Sequence, residues 1–118
     1  MNPIIKQKWI DALLSGEYEQ GERRLRTTYT YCCLGVLCDL YAKETGKEWL
    51  HGIYNNYSYD GETEIPSVAV LRWAGFQFDV DECGGRLFED EINPGYLASL
   101  NDSGYTFEQM AEIIKEHL

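Results

Sequence analysis

The sequence predicts an α+β fold in a single compact domain, residues 1–118, with about four helices packed on a small antiparallel β-sheet. Three observations predict it. Apolar residues recur at helical spacing near both ends of the chain and again around residues 33–43. Between these stretches, residues 49–59 are rich in aromatic and β-branched side chains and are cut by Asn55-Asn56, and Asp60-Gly61 adds a second turn signal. A chain of 118 residues, 44% hydrophobic and 14% aromatic, can fill one core and is too short for a second.

Each element has a local reason. Asn2 caps a first helix with Pro3 at its first position. Ile5, Trp9 and Leu13 follow at helical spacing, and Ser15-Gly16 supplies the stop. Residues 17–28 read as a polar connection or short strand. Tyr29 and Tyr31, either side of Thr30, suit a strand end that feeds the next helix. That helix covers residues 33–43, with Leu34, Leu37, Cys38 and Tyr41 on one face and Val36 and Leu40 widening it, so it belongs at the centre. Gly35 lets another backbone approach its first turn, and Thr45-Gly46 ends it.

Two or three short antiparallel strands follow in residues 49–59 and 62–65. Pro66 closes this region, and Ser67 caps a short helix carrying Val68, Val70, Leu71 and Trp73 up to Gly75. Phe76 and Phe78 suggest one more strand, and the acidic residues 79–95 a mobile loop. Residues 96–100 form a helical turn, and Asn101-Asp102-Ser103-Gly104 a tight turn. Thr106 and Gln109 form a capping box for a last helix that buries Phe107, Met110, Ile113, Ile114 and Leu118. Trp9, Trp49 and Trp73 are expected in the core.

Charge narrows the function. Twenty acidic against ten basic residues give a net charge of -10, and the isoelectric point is about 4.5. That balance argues against direct binding to nucleic-acid backbones. No apolar run reaches membrane-spanning length and the N-terminus lacks a signal layout, so the expectation is a cytoplasmic protein with no membrane partner and reduced thiols. The cysteines lack the short paired spacing of zinc sites, and no metal or cofactor is expected. Asp79-Val80-Asp81-Glu82-Cys83-Gly84 opens like a calcium loop, but a cysteine replaces an oxygen ligand and no helix enters it.

The candidate site is the segment from Arg23 to Cys33. Arg23, Arg24 and Arg26 suit phosphate or carboxylate, Tyr29 or Tyr31 can stack on a base, and the Cys32-Cys33 backbone lies where a helix start presents free amides. The competing reading is a solvated loop whose arginines pair with Glu19 and Glu22. A second candidate is a cysteine-dependent hydrolase or transferase using Cys32 or Cys33 at the helix start, with His51 as base. A third is an acidic nucleic-acid mimic using the carboxylates of residues 79–91. An uncovered aromatic surface around Tyr54, Tyr57 and Tyr59 would support a homo-oligomer.

Several strings occur together: Trp9-Ile10-Asp11-Ala12-Leu13-Leu14-Ser15-Gly16, then Leu25-Arg26, then Cys32-Cys33-Leu34-Gly35-Val36-Leu37-Cys38-Asp39-Leu40. Trp73-Ala74-Gly75 and Leu100-Asn101-Asp102-Ser103-Gly104, followed by Phe107, complete them. With them the chain resembles a group of small proteins encoded by tailed bacteriophages and prophages, labelled as having no known function. The resemblance covers most of the chain outside residues 55–64 and 77–93. It implies a phage gene expressed in the host bacterial cytoplasm, and it brings no catalytic residues. Such accessory proteins are often host-directed, so the partner it implies is a small anionic ligand of nucleotide type or a host protein.

Overall fold

Asn2 starts the fold as its chemistry requires: its Oδ1 accepts the amides of Ile4 and Ile5 at 2.9 and 3.1 Å, and α1 (Pro3–Leu14) follows. The computed structural model describes residues 1–118 and contains five helices and two separate two-stranded antiparallel sheets.

Helix α2 (Cys33–Thr45) is the centre. Its six consecutive residues from Cys33 to Cys38 are buried, and it packs against α1, α3 (Val68–Ala74) and α4 (Pro94–Asp102). An α-helix buried on every side at its start cannot carry side chains everywhere, and Gly35 marks the closest approach. A Cβ placed there would lie 1.7 Å from the Leu25 carbonyl oxygen. Leu25 is itself fully buried, takes the Cys32 amide on its carbonyl at 3.1 Å and donates its own amide to Thr63 at 2.7 Å. The arginine-bearing loop is thereby pinned against the first turn of α2. Trp9 completes the junction, fully buried, with Nε1 donating to the Cys33 carbonyl at 2.8 Å. Trp49 and Trp73 are half-buried and pack on the edge of the same core.

The remaining helices also obey their caps. Ser67 accepts the Val70 amide, Asn93 the Tyr96 amide, and Thr106 with Gln109 makes the expected box for α5 (Phe107–His117). The helical turn expected at residues 96–100 is in fact the nine-residue α4, which takes in Asn101 and Asp102. This raises the helix number to five; of the tight turn expected at Asn101-Asp102-Ser103-Gly104, the first two residues belong to the helix and Ser103-Gly104 make the turn, with the Gly104 amide donating to the Asn101 carbonyl at 3.3 Å. Pro94 after the Asn93 cap explains the earlier start.

The sheet differs most from expectation. β1 (Leu50–His51) pairs with β2 (Tyr57–Ser58), and β3 (Phe78–Val80) with β4 (Arg86–Phe88), and the two pairs do not join. Residues 62–65 contribute only a bridge from Glu62 to Tyr59, and Tyr31 bridges Gln20 and Arg26 rather than ending a strand. Strands of two or three residues, interrupted by turns, offer too little alternating surface to form a layer. The helices therefore pack mainly on one another, α1 on α5 and α2 on α4, with the hairpins at the rim. Part of the acidic stretch expected to be a mobile loop is the β3–β4 hairpin, where Asp81 Oδ1 accepts the Cys83 and Gly85 amides at 2.9 and 2.6 Å. No helix is long and apolar enough to cross a membrane.

Gly35→Ala is expected to cost about 3 kcal/mol or to prevent folding, because its methyl meets backbone rather than a movable side chain. Urea denaturation of parent and variant measures it, and a change within about 0.5 kcal/mol would show that the loop yields freely.

Candidate functional site

The loop of residues 20–31 folds back on itself. Gly21 donates to the Tyr31 carbonyl and Tyr31 to the Glu19 carbonyl, both at 2.8 Å, while the Thr27 amide bonds the Thr30 carbonyl at 2.8 Å. Arg23 sits in the left-handed region at φ 69, and its amide donates to Asp102 Oδ1 at 2.7 Å. A non-glycine residue in that conformation is strained by about 1 kcal/mol or more, and the Asp102 bond holds it there.

The structure divides the three arginines. Arg23 and Arg24 are exposed and line one cavity of about 290 Å³ with Cys32, Glu64, Ile65, Ala98 and Asp102. Neither makes an ion pair, so the expected pairing with Glu19 and Glu22 does not form. The backbone at Cys32-Cys33, expected to donate to a ligand, is spent inside the protein. Cys32 donates to Leu25, Cys33 to Asn101 Oδ1 at 3.2 Å, and Gly35 to the Cys32 sulfur at 3.3 Å. Burying these amides without partners would be costly, which is why the fold closes them.

Arg26 belongs to a different environment. Its guanidinium carbon lies 5.0, 5.3 and 4.3 Å from the ring centres of Tyr31, Trp49 and Tyr57, and its Nε is buried with no hydrogen-bond partner. His51 stacks on Tyr57 with ring centres 4.2 Å apart and planes 10° from parallel. Beside this cage, Asp39 accepts from the Tyr18 hydroxyl at 2.5 Å and from Trp49 Nε1 at 3.0 Å, and pairs with Lys43 at 3.4 Å. Burial first, and the bond to Asp39 second, push the Tyr18 hydroxyl up to about 12. Arg26, Asp39, Lys43, Glu48, Trp49 and Tyr57 together border a second hollow of about 440 Å³. The sequence pointed to Arg26 and Tyr31 but not to Asp39, Trp49 or Tyr57, which arrive from other elements. The register of β1 with β2, set by the Asn55-Asn56 turn, was the available signal for the His51–Tyr57 pair.

The tyrosines separate as well. Tyr29 is 80% exposed and stands apart from the arginine cavity. Of the expected aromatic surface, Tyr54 is 94% exposed, Tyr57 is half-buried in the Arg26 cage, and Tyr59 is fully buried with its hydroxyl donating to Lys47. The exposed apolar side chains of the first hairpin are instead Leu50, Ile53 and Tyr54, and the Thr28 hydroxyl bonds Asn55 beside them.

A family model described as a domain of unknown function, DUF8296, matches residues 1–118. The chain belongs to that family. No curated protein and no solved structure matches it.

In this DUF8296 chain the thiols at the start of α2 are packing residues. Burial pushes the Cys32 thiol up to about 11 and raises Cys33 and Cys38 well above the ordinary thiol value, the opposite of what an activated nucleophile needs. Cys33 directs its sulfur at the Leu97 carbonyl at 3.9 Å, and His51 is exposed on the first hairpin, stacked on Tyr57. Cys83 alone among the four cysteines is exposed.

Iodoacetamide at neutral pH is therefore expected to alkylate Cys83 in the native protein and the other three only after unfolding, as peptide mass mapping would show. Rapid native labelling of Cys32 or Cys33 would contradict the packing described. The same burial sets an alkaline limit. The folded state holds the Cys32 proton up to about pH 11, whereas an unfolded thiol releases it near 9.0. This contribution to stability is complete below pH 9.0 and declines as pH rises toward about 11, so the urea midpoint should fall across that window. A Cys32→Ala variant should show a smaller decline.

Proposed function

We propose that this DUF8296 protein is a non-enzymatic binding protein, encoded by a phage and host-directed, acting in the bacterial cytoplasm on a small anionic ligand of nucleotide type. One observation carries the reading: Arg23 and Arg24 remain without ion pairs in a chain whose acids outnumber its bases by 20 to 10. Two exposed guanidinium groups open over one cavity suit the oxygens of a phosphate. The positive end of the α2 dipole lies behind Cys32, which borders the same cavity, and favours negative charge there although its amides are capped. Asp102, also at the rim, has one oxygen engaged by the Arg23 amide.

A second reading, inhibition of a host protein, is supported by the exposed apolar side chains of Leu50, Ile53 and Tyr54 on the first hairpin. Tyr54 is held at φ 55 while almost wholly exposed, a strained placement of a large side chain that no internal contact repays. The cysteine-hydrolase alternative gains no support from thiols that burial keeps protonated.

Thermal unfolding with a panel of nucleoside mono-, di- and triphosphates tests the anion reading. At a ligand concentration of roughly 100 times the dissociation constant, stabilisation of the parent is expected to be about 2.7 kcal/mol. Arg24→Ala should lose most of it while keeping the parent's circular dichroism. Equal stabilisation of parent and variant, or none by any nucleotide, would contradict the reading.

A further inference from the structure

A hollow larger than either of those above lies beside the second hairpin. It is a cleft of about 790 Å³ between β4 and residues 62–65, bordered by Glu62, Glu64, Ile65, Arg86, Leu87 and Phe88 among others, and it shares only Glu64 and Ile65 with the arginine cavity. What opens into it follows from strand geometry. The Asp81 amide donates to the Gly85 carbonyl at 2.8 Å, so these residues form a hydrogen-bonded pair. The register Val80↔Arg86, Asp79↔Leu87, Phe78↔Phe88 then makes Asp79 and Leu87 the next bonded pair. Arg86 and Phe88 fall at the alternate positions and turn their N–H and C=O groups away from β3. None of these four groups finds a partner elsewhere in the protein. Successive strand side chains point to opposite faces, yet both Arg86 and Leu87 border the cleft, so the strand edge between those faces is what it receives.

The charge around this edge is one-sided. Glu64 stands exposed on the facing wall, Asp81 and Glu82 precede β4, and Glu89, Asp90 and Glu91 follow it, all exposed and none in an ion pair. The one cation at the edge, Arg86, is turned inward, with its guanidinium donating to the Pro66 carbonyl at 2.8 Å and pairing with Glu62 at 3.3 Å. Gly84, Gly85 and Gly95 put no side chain into the space. A strand edge with unpaired N–H and C=O groups is a template for another strand, and the carboxylates at both its ends select the sign of the incoming side chains.

We propose that the outer edge of β4 takes up an extended, basic segment of a partner protein as an added strand, its backbone bonded to Arg86 and Phe88 and its Lys or Arg side chains met by Glu64 and the acids flanking β4. This deepens the host-protein form of the function and rests on it. It assigns the acidic stretch a role by shape as well as by charge, which simple mimicry of a nucleic acid would not need.

The probes are acetylated octapeptides with Lys at alternate positions and Val between, a matching Glu series, and a Lys series methylated on the backbone nitrogens of one edge. Amide spectra of the ¹⁵N-labelled protein follow the titrations. The Lys peptide is expected to give saturable shifts at Arg86 and Phe88 and to slow exchange of those two amides with solvent. Methylation should weaken it about tenfold or more, added salt should weaken it further, and the Glu series should not bind. Equal binding of the methylated peptide overturns the added strand. Saturable shifts confined to residues 50–54 also overturn it, while leaving the host-protein reading in place at the other hairpin. No saturable binding of any Lys peptide overturns it outright, and leaves the anion reading to its own test at Arg24.

Discussion

A single buried amide, that of Asn101, holds the parts of this fold in register. It is fully buried at the end of α4. Its Oδ1 accepts the Cys33 amide at 3.2 Å and Gln20 Nε2 at 2.9 Å, and its Nδ2 donates to the Gly21 carbonyl at 2.8 Å. Gln20 extends the network by donating to the Tyr105 carbonyl at 2.7 Å and accepting the Phe107 amide at 2.9 Å. Two neutral side chains thus satisfy the first amides of α2 and of α5 and fix the loop between them. Buried amides of this kind contribute strongly when every bond is made and cost heavily when one is lost. Packing alone would hold these helices together; the amides set where the loop lies on them.

That loop position has electrostatic consequences. Because Gly21 is tied to Asn101 and Leu25 is sunk beneath α2, Arg23 and Arg24 emerge on one side of the loop and Arg26 enters the rings of Tyr31, Trp49 and Tyr57 on the other. The arginine in the cage is a structural cation, its charge spread over aromatic faces rather than paired with carboxylate. The two left outside face a cavity. Residues 62–65 run between that cavity and the cleft beside β4, so one strap of chain separates a surface suited to anions from one suited to cations.

Much of the fold was legible because its signals are local. The caps at Asn2, Ser67 and Thr106 follow from side chains two or three residues from the amides they satisfy, and Gly35 alone signals a close backbone approach at the start of α2. The pairing of strands was not legible, since runs of two or three residues carry no alternation long enough to specify a face. Asn-Asp-Ser-Gly is turn chemistry in isolation, whereas the burial of Asn101 depends on Gln20 and Cys33, both far away in sequence. The same distance hid the Arg26 cage. The unpaired state of Arg23 and Arg24 was equally invisible, because the sequence counts carboxylates without saying which can reach. Membership of DUF8296 places the whole chain in one family and leaves its chemistry to be read from these residues.

The most direct test of this account is a double-mutant cycle at Gln20 and Asn101, measured by urea denaturation of the parent, Gln20→Ala, Asn101→Ala and the double variant. The account predicts that Asn101→Ala alone costs about 3 kcal/mol, by stranding the Cys33 amide and the Gly21 carbonyl. It predicts a coupling between the two substitutions of about 1 kcal/mol or more. Costs that simply add, or an Asn101→Ala protein within about 0.5 kcal/mol of the parent, would contradict the claim that this amide network sets the position of the loop.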